Sequence, residues 1–201
     1  MGPTSFSVTW DYLCPFARNA HEHLVEALRG GAGWDVTFTP FSLMQAHVED
    51  GGTPVWEQAE KARGVLALEA GIVVRDRFPE RFFDAHLALF GARHDEGKEL
   101  GDPDVVREAL TSSGVTADAV FAEIDNGWPL DALRSAHEKS VGEHEVFGVP
   151  TFETAADAVF VRLMTRPAGD SARARATIQR VLDLLEDHPE LNEFKRTKIP
   201  R

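Results

Sequence analysis

The sequence predicts an α/β protein whose strand-forming ends are separated by an all-helical insertion. Two observations carry this: strand-like stretches occur only near the two ends of the chain, and residues 46–146 show helical periodicity alone. The order read from the pattern is β-α-β, then several helices, then β-β-α.

Phe6-Ser7-Val8-Thr9-Trp10 alternates apolar and polar residues of high β-propensity, which predicts a half-buried strand. From Pro15 the residues Ala17, Ala20, Leu24 and Leu28 recur at helical spacing, and Gly30-Gly31-Ala32-Gly33 supplies the stop. Trp34 to Leu43, with Val36, Phe38 and Phe41, reads as the second strand; a strand-helix-strand unit of this length favours parallel pairing. Five helices follow, over Val55–Ala70, Arg77–Ala92, Pro103–Ser112, Ala117–Asn126 and Trp128 to Glu145. Their breaks are placed at Gly71, Gly91, Gly97–Gly101, Gly114 and Gly127. Asp102 and Thr116 stand at capping positions, with Pro103 at a first helical position. Thr151–Thr154 and Val159–Leu163 then form a hairpin through Ala155–Ala158, and a last helix presents Ile178, Val181, Leu182 and Leu185 on one face. The tail from Glu193 to Arg201 is basic and is expected to be partly mobile. Domains are accordingly drawn as 1–45 with 147–201, and 46–146 as the insertion.

At 201 residues the chain can bury a sizeable core. Asp and Glu total 33 against 21 Lys and Arg, a formal charge of -12, so the overall field repels nucleic acid and anionic membranes. A small or neutral partner fits better. No window has the apolar length of a signal sequence or a membrane span, which places the protein in the cytoplasm as an expectation.

The single cysteine, Cys14, excludes an internal disulfide and a multi-cysteine zinc site. It directly precedes the first helix, with Pro15 at the first helical position. Free backbone N–H groups and the positive end of the helix dipole favour thiolate there, and Arg18 one turn on adds to this. The competing reading is a small buried hydrophobe, and the placement alone leaves both open. Pro150, in Val149-Pro150-Thr151, immediately precedes a strand. His21 and His23 point in different directions from one helix and read as solvated. His137 and His144 read as part of a charged surface with Glu138, Glu143 and Glu145. No metal site is expected. Gly30–Gly33 follows a helix instead of a strand and reads as a turn, and no Gly-x-Ser-x-Gly elbow marks a hydrolase. Trp10, Trp56, Phe82, Phe83 and Phe90 read as core before they read as a cleft.

Phe6–Leu24, centred on Asp11-Tyr12-Leu13-Cys14-Pro15, together with Gly148-Val149-Pro150-Thr151-Phe152, resembles the DsbA-type branch of the thioredoxin superfamily. The helical insertion matches too. Ala132-Leu133-Arg134-Ser135-Ala136-His137 and the ending Phe194-Lys195-Arg196-Thr197-Lys198 look like cytoplasmic actinobacterial members, which include mycothiol-dependent reductases. Sixteen Arg against five Lys suits a GC-rich actinobacterium. The resemblance covers nearly the whole chain and implies a thioredoxin-like fold with a thiol–disulfide exchange site. In it Cys14 is the attacking thiolate, Pro150 is cis, and Tyr12, Pro15, Phe16, Val149, Pro150 and Thr151 bind the thiol or substrate. One departure is serious: the family's second redox cysteine falls at Ala17, giving Cys-Pro-Phe-Ala. Catalysis through a mixed disulfide therefore needs an external low-molecular-weight thiol, mycothiol or glutathione, as co-substrate, with no tightly bound cofactor. The partners implied are that thiol and an electrophilic or disulfide substrate, on a monomer or homodimer. The alternatives are a kappa-class-like thiol transferase or isomerase, in which Cys14 or Tyr12 orients the thiol, and a non-catalytic thioredoxin-fold binding protein.

Overall fold

The computed structural model describes residues 4–49, 51–58 and 64–198. The strand over Phe6–Trp10 forms as expected and runs from Thr4 to Trp10 (β1), burying Phe6, Val8 and Trp10. The first helix is Pro15–Arg29 (α1), closed at Gly30, and the second strand is Trp34–Pro40 (β2). This strand is shorter than expected because Ser42 caps a short helix, Leu43–Ala46 (α2), with its hydroxyl accepting the Gln45 N–H at 3.2 Å.

The insertion contains helices Val65–Arg77 (α3), Phe82–His94 (α4), Pro103–Ser112 (α5), Ala117–Asp125 (α6) and Trp128–His144 (α7). The helix expected over Val55–Ala70 is instead one 3₁₀ turn at Val55–Glu57 followed by α3; residues 59–63 of that expectation lie outside the described residues. Gly64, at φ +86°, sets the start of α3, and a 3₁₀ turn at Pro79–Arg81 moves the next start to Phe82. Asp102 caps α5 through the Asp104 N–H at 2.9 Å, but Thr116 makes no side-chain cap.

Gly71 and Gly91, expected as breaks, lie inside α3 and α4. Gly71 is there for space: a Cβ would come within 2.3 Å of the Tyr12 hydroxyl oxygen. Gly71→Ala is therefore expected to lower stability by about 1–3 kcal/mol, the usual cost of overpacking. Urea unfolding reads this directly, since helix propensity alone would make the change stabilising.

The hairpin is Thr151–Glu153 (β3) and Ala158–Phe160 (β4), and the last helix is Ser171–Asp187 (α8). β4 ends before Leu163 because the chain turns onto α1, where Asn19 Nδ2 donates to the Leu163 carbonyl at 2.8 Å. The sheet order is β2-β1-β3-β4; β1 and β2 are parallel, with Val8 opposite Phe38, and the other pairings are antiparallel. This mixed four-stranded sheet with its helices is a thioredoxin-like α/β fold. Helix α1 packs on α8, α4 and β1, and Ile178, Val181, Leu182 and Leu185 of α8 are buried as expected. The carboxyl ends of parallel β1 and β2 therefore open on the loop that carries Cys14, the end at which such sheets bind ligands. No helix among the described residues is long and apolar enough to cross a membrane.

Candidate active site

The chain leaves β1 at Asp11, and Cys14 caps α1 by accepting the Ala17 N–H at 3.4 Å. The N-cap position read from Cys-Pro is thus what the backbone adopts. The loop is fixed from three sides. Asp11 Oδ1 accepts Leu13 N–H at 2.9 Å and its Oδ2 accepts Leu43 N–H at 2.8 Å; His94 Nε2 lies 2.9 Å from the Tyr12 carbonyl and donates to it. Asp11 thereby ties the Cys14 loop to the start of α2. Burial pushes its carboxyl up to about 6, against the pull of the Leu13 and Leu43 N–H groups.

On the opposite side, Cys14 Sγ donates to the Val149 carbonyl at 3.2 Å, and the Val149–Pro150 bond is cis. Residues 135 positions apart in sequence are in direct contact. Thr151 fastens this loop: its N–H donates to Thr9 Oγ1 and its hydroxyl donates to the Gly148 carbonyl, both at 2.8 Å. The loop also carries Phe147, 71% exposed, whose ring lies 5.2 Å from that of Phe160. Sequence reasoning placed Phe160 only as part of a strand and gave Phe147 no role, since an aromatic in a loop has no periodicity to mark it.

The thiol itself differs from expectation. Burial pushes Cys14 above the ordinary thiol value, outweighing the lowering by the Ala17 and Phe16 N–H groups, and Asp11 adds to the rise. The S–H bond to Val149 stabilises the same neutral form. Arg18 gives no help, because its guanidinium is held by Asp95 at 2.6 Å. Alkylation of the folded protein is thus expected to keep accelerating through pH 9; a plateau reached by pH 7.5 would contradict the neutral resting thiol.

Of the residues expected to bind a thiol, Pro15 is exposed and Phe16 half-buried, with the exposed Arg162 guanidinium 5.6 Å from the Phe16 ring centre. Val149 and Pro150 are buried, with the Val149 carbonyl against the sulfur, and the Thr151 side chain is buried and hydrogen-bonded as above. Tyr12 is a correction. It is fully buried, its hydroxyl lies 2.8 Å from His86 Nδ1, and it reaches no surface on which a thiol could be oriented.

His21 and His23 are also corrections: both are buried, His23 with its Nδ1–H bonded to the Asn19 carbonyl at 2.8 Å. His21 belongs to a continuous chain. Its Nε2 lies 3.1 Å from the Thr9 carbonyl, its Nδ1 3.0 Å from His86 Nε2, and His86 Nδ1 meets Tyr12. A carbonyl only accepts, so His21 Nε2 donates; both rings being neutral, His86 Nε2 donates to His21 and Tyr12 donates to His86. Burial holds His21 down to about 4 and His86 well below its ordinary value, the latter reinforced by His21. Trp10, Phe82 and Phe90 pack around the two rings as core. His137, expected on a charged surface, is buried against Phe41.

No established family profile matches the chain. It is 27% identical over 199 residues to an uncharacterized protein of Mycobacterium tuberculosis, covering 98% of this chain and 84% of that protein. Among solved structures it resembles a thiol-disulfide oxidoreductase, MdbA, of Actinomyces oris (TM-score 0.62, 15% identity, 92% and 81% of the two chains). It also resembles a probable DsbA oxidoreductase of Streptomyces coelicolor (0.62, 14%, 98% and 93%). A third is the cytosolic disulfide reductase DsbM of Pseudomonas aeruginosa (0.58, 18%, 90% and 99%). The fold is therefore that of the DsbA-type proteins.

Proposed function

We propose that this DsbA-type fold serves a thiol–disulfide oxidoreductase working through Cys14 alone, with a low-molecular-weight thiol such as mycothiol or glutathione as co-substrate. The observation that carries the reading is Cys14 Sγ held between the Ala17 N–H and the Val149 carbonyl, with alanine one turn along where a second thiol would stand. The solved relatives named as oxidoreductases support the same direction.

In the first step Cys14 loses its proton to solvent and its thiolate attacks one sulfur of a disulfide, forming a protein mixed disulfide and expelling the other sulfur as thiolate. In the second, the external thiolate attacks the sulfur bound to Cys14. This releases Cys14 as thiolate, which recovers a proton, and leaves the small thiol as the new disulfide. The Ala17 N–H stabilises the Cys14 charge in both steps. Each cycle exchanges one sulfur of the original disulfide for the external thiol; when the disulfide is a mixed one that already carries the small thiol, the products are the freed substrate thiol and the symmetrical small-thiol disulfide. The resting S–H bond to Val149 keeps the sulfur neutral until a disulfide arrives.

That neutral S–H also favours a second reading, a kappa-class-like transferase in which the co-substrate is the nucleophile and Cys14 donates a hydrogen bond to it. Intact-mass spectrometry separates the two. Reduced protein mixed with the oxidised small thiol is expected to gain one thiol, mapped to Cys14. A non-covalent complex with no mass gain would favour the transferase instead.

A further inference from the structure

A cleft of ≈ 370 Å³ lies between the α2 region, Trp56 and α7, within the usual size range of about 300–1,000 Å³ for small-molecule sites. Its lining is unusual in holding rigid donors with nothing to donate to. His137 is 6% exposed, with its ring 4.2 Å from that of Phe41 and edge-on to Trp56 at 5.6 Å. Its Nδ1 accepts the Ser42 N–H at 3.3 Å, so the proton of the neutral ring sits on Nε2. Burial keeps the ring neutral by lowering its pKa to about 4. Nε2 has no protein partner among the described residues and is not sealed from solvent.

Gln45 repeats the arrangement. Its Oε1 accepts the Val55 N–H at 2.9 Å, which fixes the amide and leaves its NH₂ unpaired among the described residues. Arg134 donates through Nε to Glu138 Oε1 at 2.8 Å, leaving further N–H groups and the second carboxylate oxygen for a ligand.

The chemistry of the ligand follows by elimination. An apolar ligand would strip water from the His137 and Gln45 donors without replacing it. An anion meets Glu138, with Glu57 and Asp131 also near Arg134, on a chain of net charge -12. A cation faces fixed N–H groups. A hydroxyl both accepts from such donors and donates to Glu138, and the C–H face of a saturated ring can lie on an indole. We infer that the cleft formed by Trp56, His137, Gln45, Arg134 and Glu138 binds a neutral polyhydroxylated ring, a sugar or cyclitol, free or carried on a larger molecule. The inference is independent of the Cys14 chemistry.

The test is calorimetric titration of the whole protein with methyl glucoside, myo-inositol and glucuronate, with the Trp56 indole N–H resonance followed in parallel. At least one neutral ring is expected to bind saturably and shift that resonance, with glucuronate several-fold weaker. Gln45→Glu keeps the acceptor for Val55 N–H and removes the donors, so it should weaken binding about fivefold or more, one hydrogen bond's worth. Val141→Trp, on the exposed face of α7 at the cleft, should abolish binding while leaving the rest of the spectrum unchanged. Cys14→Ser should bind as the wild type does, and a failure of the exchange reading would leave that result intact. No saturable binding of either neutral ring, tighter binding of glucuronate, or an unchanged affinity in Gln45→Glu would overturn the inference.

Discussion

Ala17→Cys is expected to convert the protein from a carrier of one mixed disulfide into a peptide oxidase. Ala17 is fully buried one turn along α1, with its N–H already 3.4 Å from Cys14 Sγ, so a thiol on its Cβ stands on the face that an internal bridge needs. In the oxidised variant, a peptide thiolate attacks one bridge sulfur, and a second peptide thiolate then displaces the protein. The peptide disulfide forms as the variant's two thiols are released. The second step is intramolecular, because the peptide is already bound through the first bond. Single-turnover oxidation of an unfolded dithiol peptide should therefore exceed the wild type by roughly a hundredfold or more. A variant that forms the bridge yet oxidises no faster would mean that Cys14 does not meet peptides at all. The wild type, lacking the second sulfur, should show a single adduct and negligible peptide oxidation.

Stability should fall markedly as pH drops from 6.5 towards 4. His21, His86 and His137 are held below their ordinary values in the fold, and His23 and His94 shift the same way. In this window the unfolded chain takes up protons that the folded chain refuses, so their stabilisation is complete above about pH 6.5 and is lost on acidification. For His21 alone, lowered to about 4, the loss is roughly 3 kcal/mol. Asp11 works in the opposite sense. Its folded carboxyl, raised to about 6, binds a proton before the unfolded one does and gains stability over the same window. One carboxylate offsets about one histidine, and the remaining histidines decide the sign. Urea midpoints at pH 7 and pH 5 should therefore fall, and Asp11→Asn should make the fall steeper. A flat or rising midpoint would show that the buried rings are not neutral.

The strands and α1 were legible because each has a one-face pattern that survives without knowledge of its neighbours. Cys14 with Pro15 was legible for a related reason, since capping is local. That Cys14 and the Val149–Pro150 segment share one site came only from the family resemblance, because nothing in a sequence measures proximity across 135 residues. The histidines were illegible: His21 and His86 sit on separate helices, and His21 looks solvated until His86 supplies its partner. Gly71 misled in the same way, as its purpose is the Tyr12 hydroxyl that α3 crosses. The rise in the Cys14 pKa was missed because the helix terminus is visible in sequence whereas burial and the Val149 carbonyl are not.

The central claim is that electrons pass through the sulfur of Cys14. Its most direct test is the rate at which excess mycothiol or glutathione reduces a small mixed disulfide in the presence of wild type or Cys14→Ser, each confirmed as folded. Turnover well above the uncatalysed rate with wild type, and none above it with Cys14→Ser, is the predicted result. Equal rates for the two proteins would contradict it and leave the transferase reading in its place.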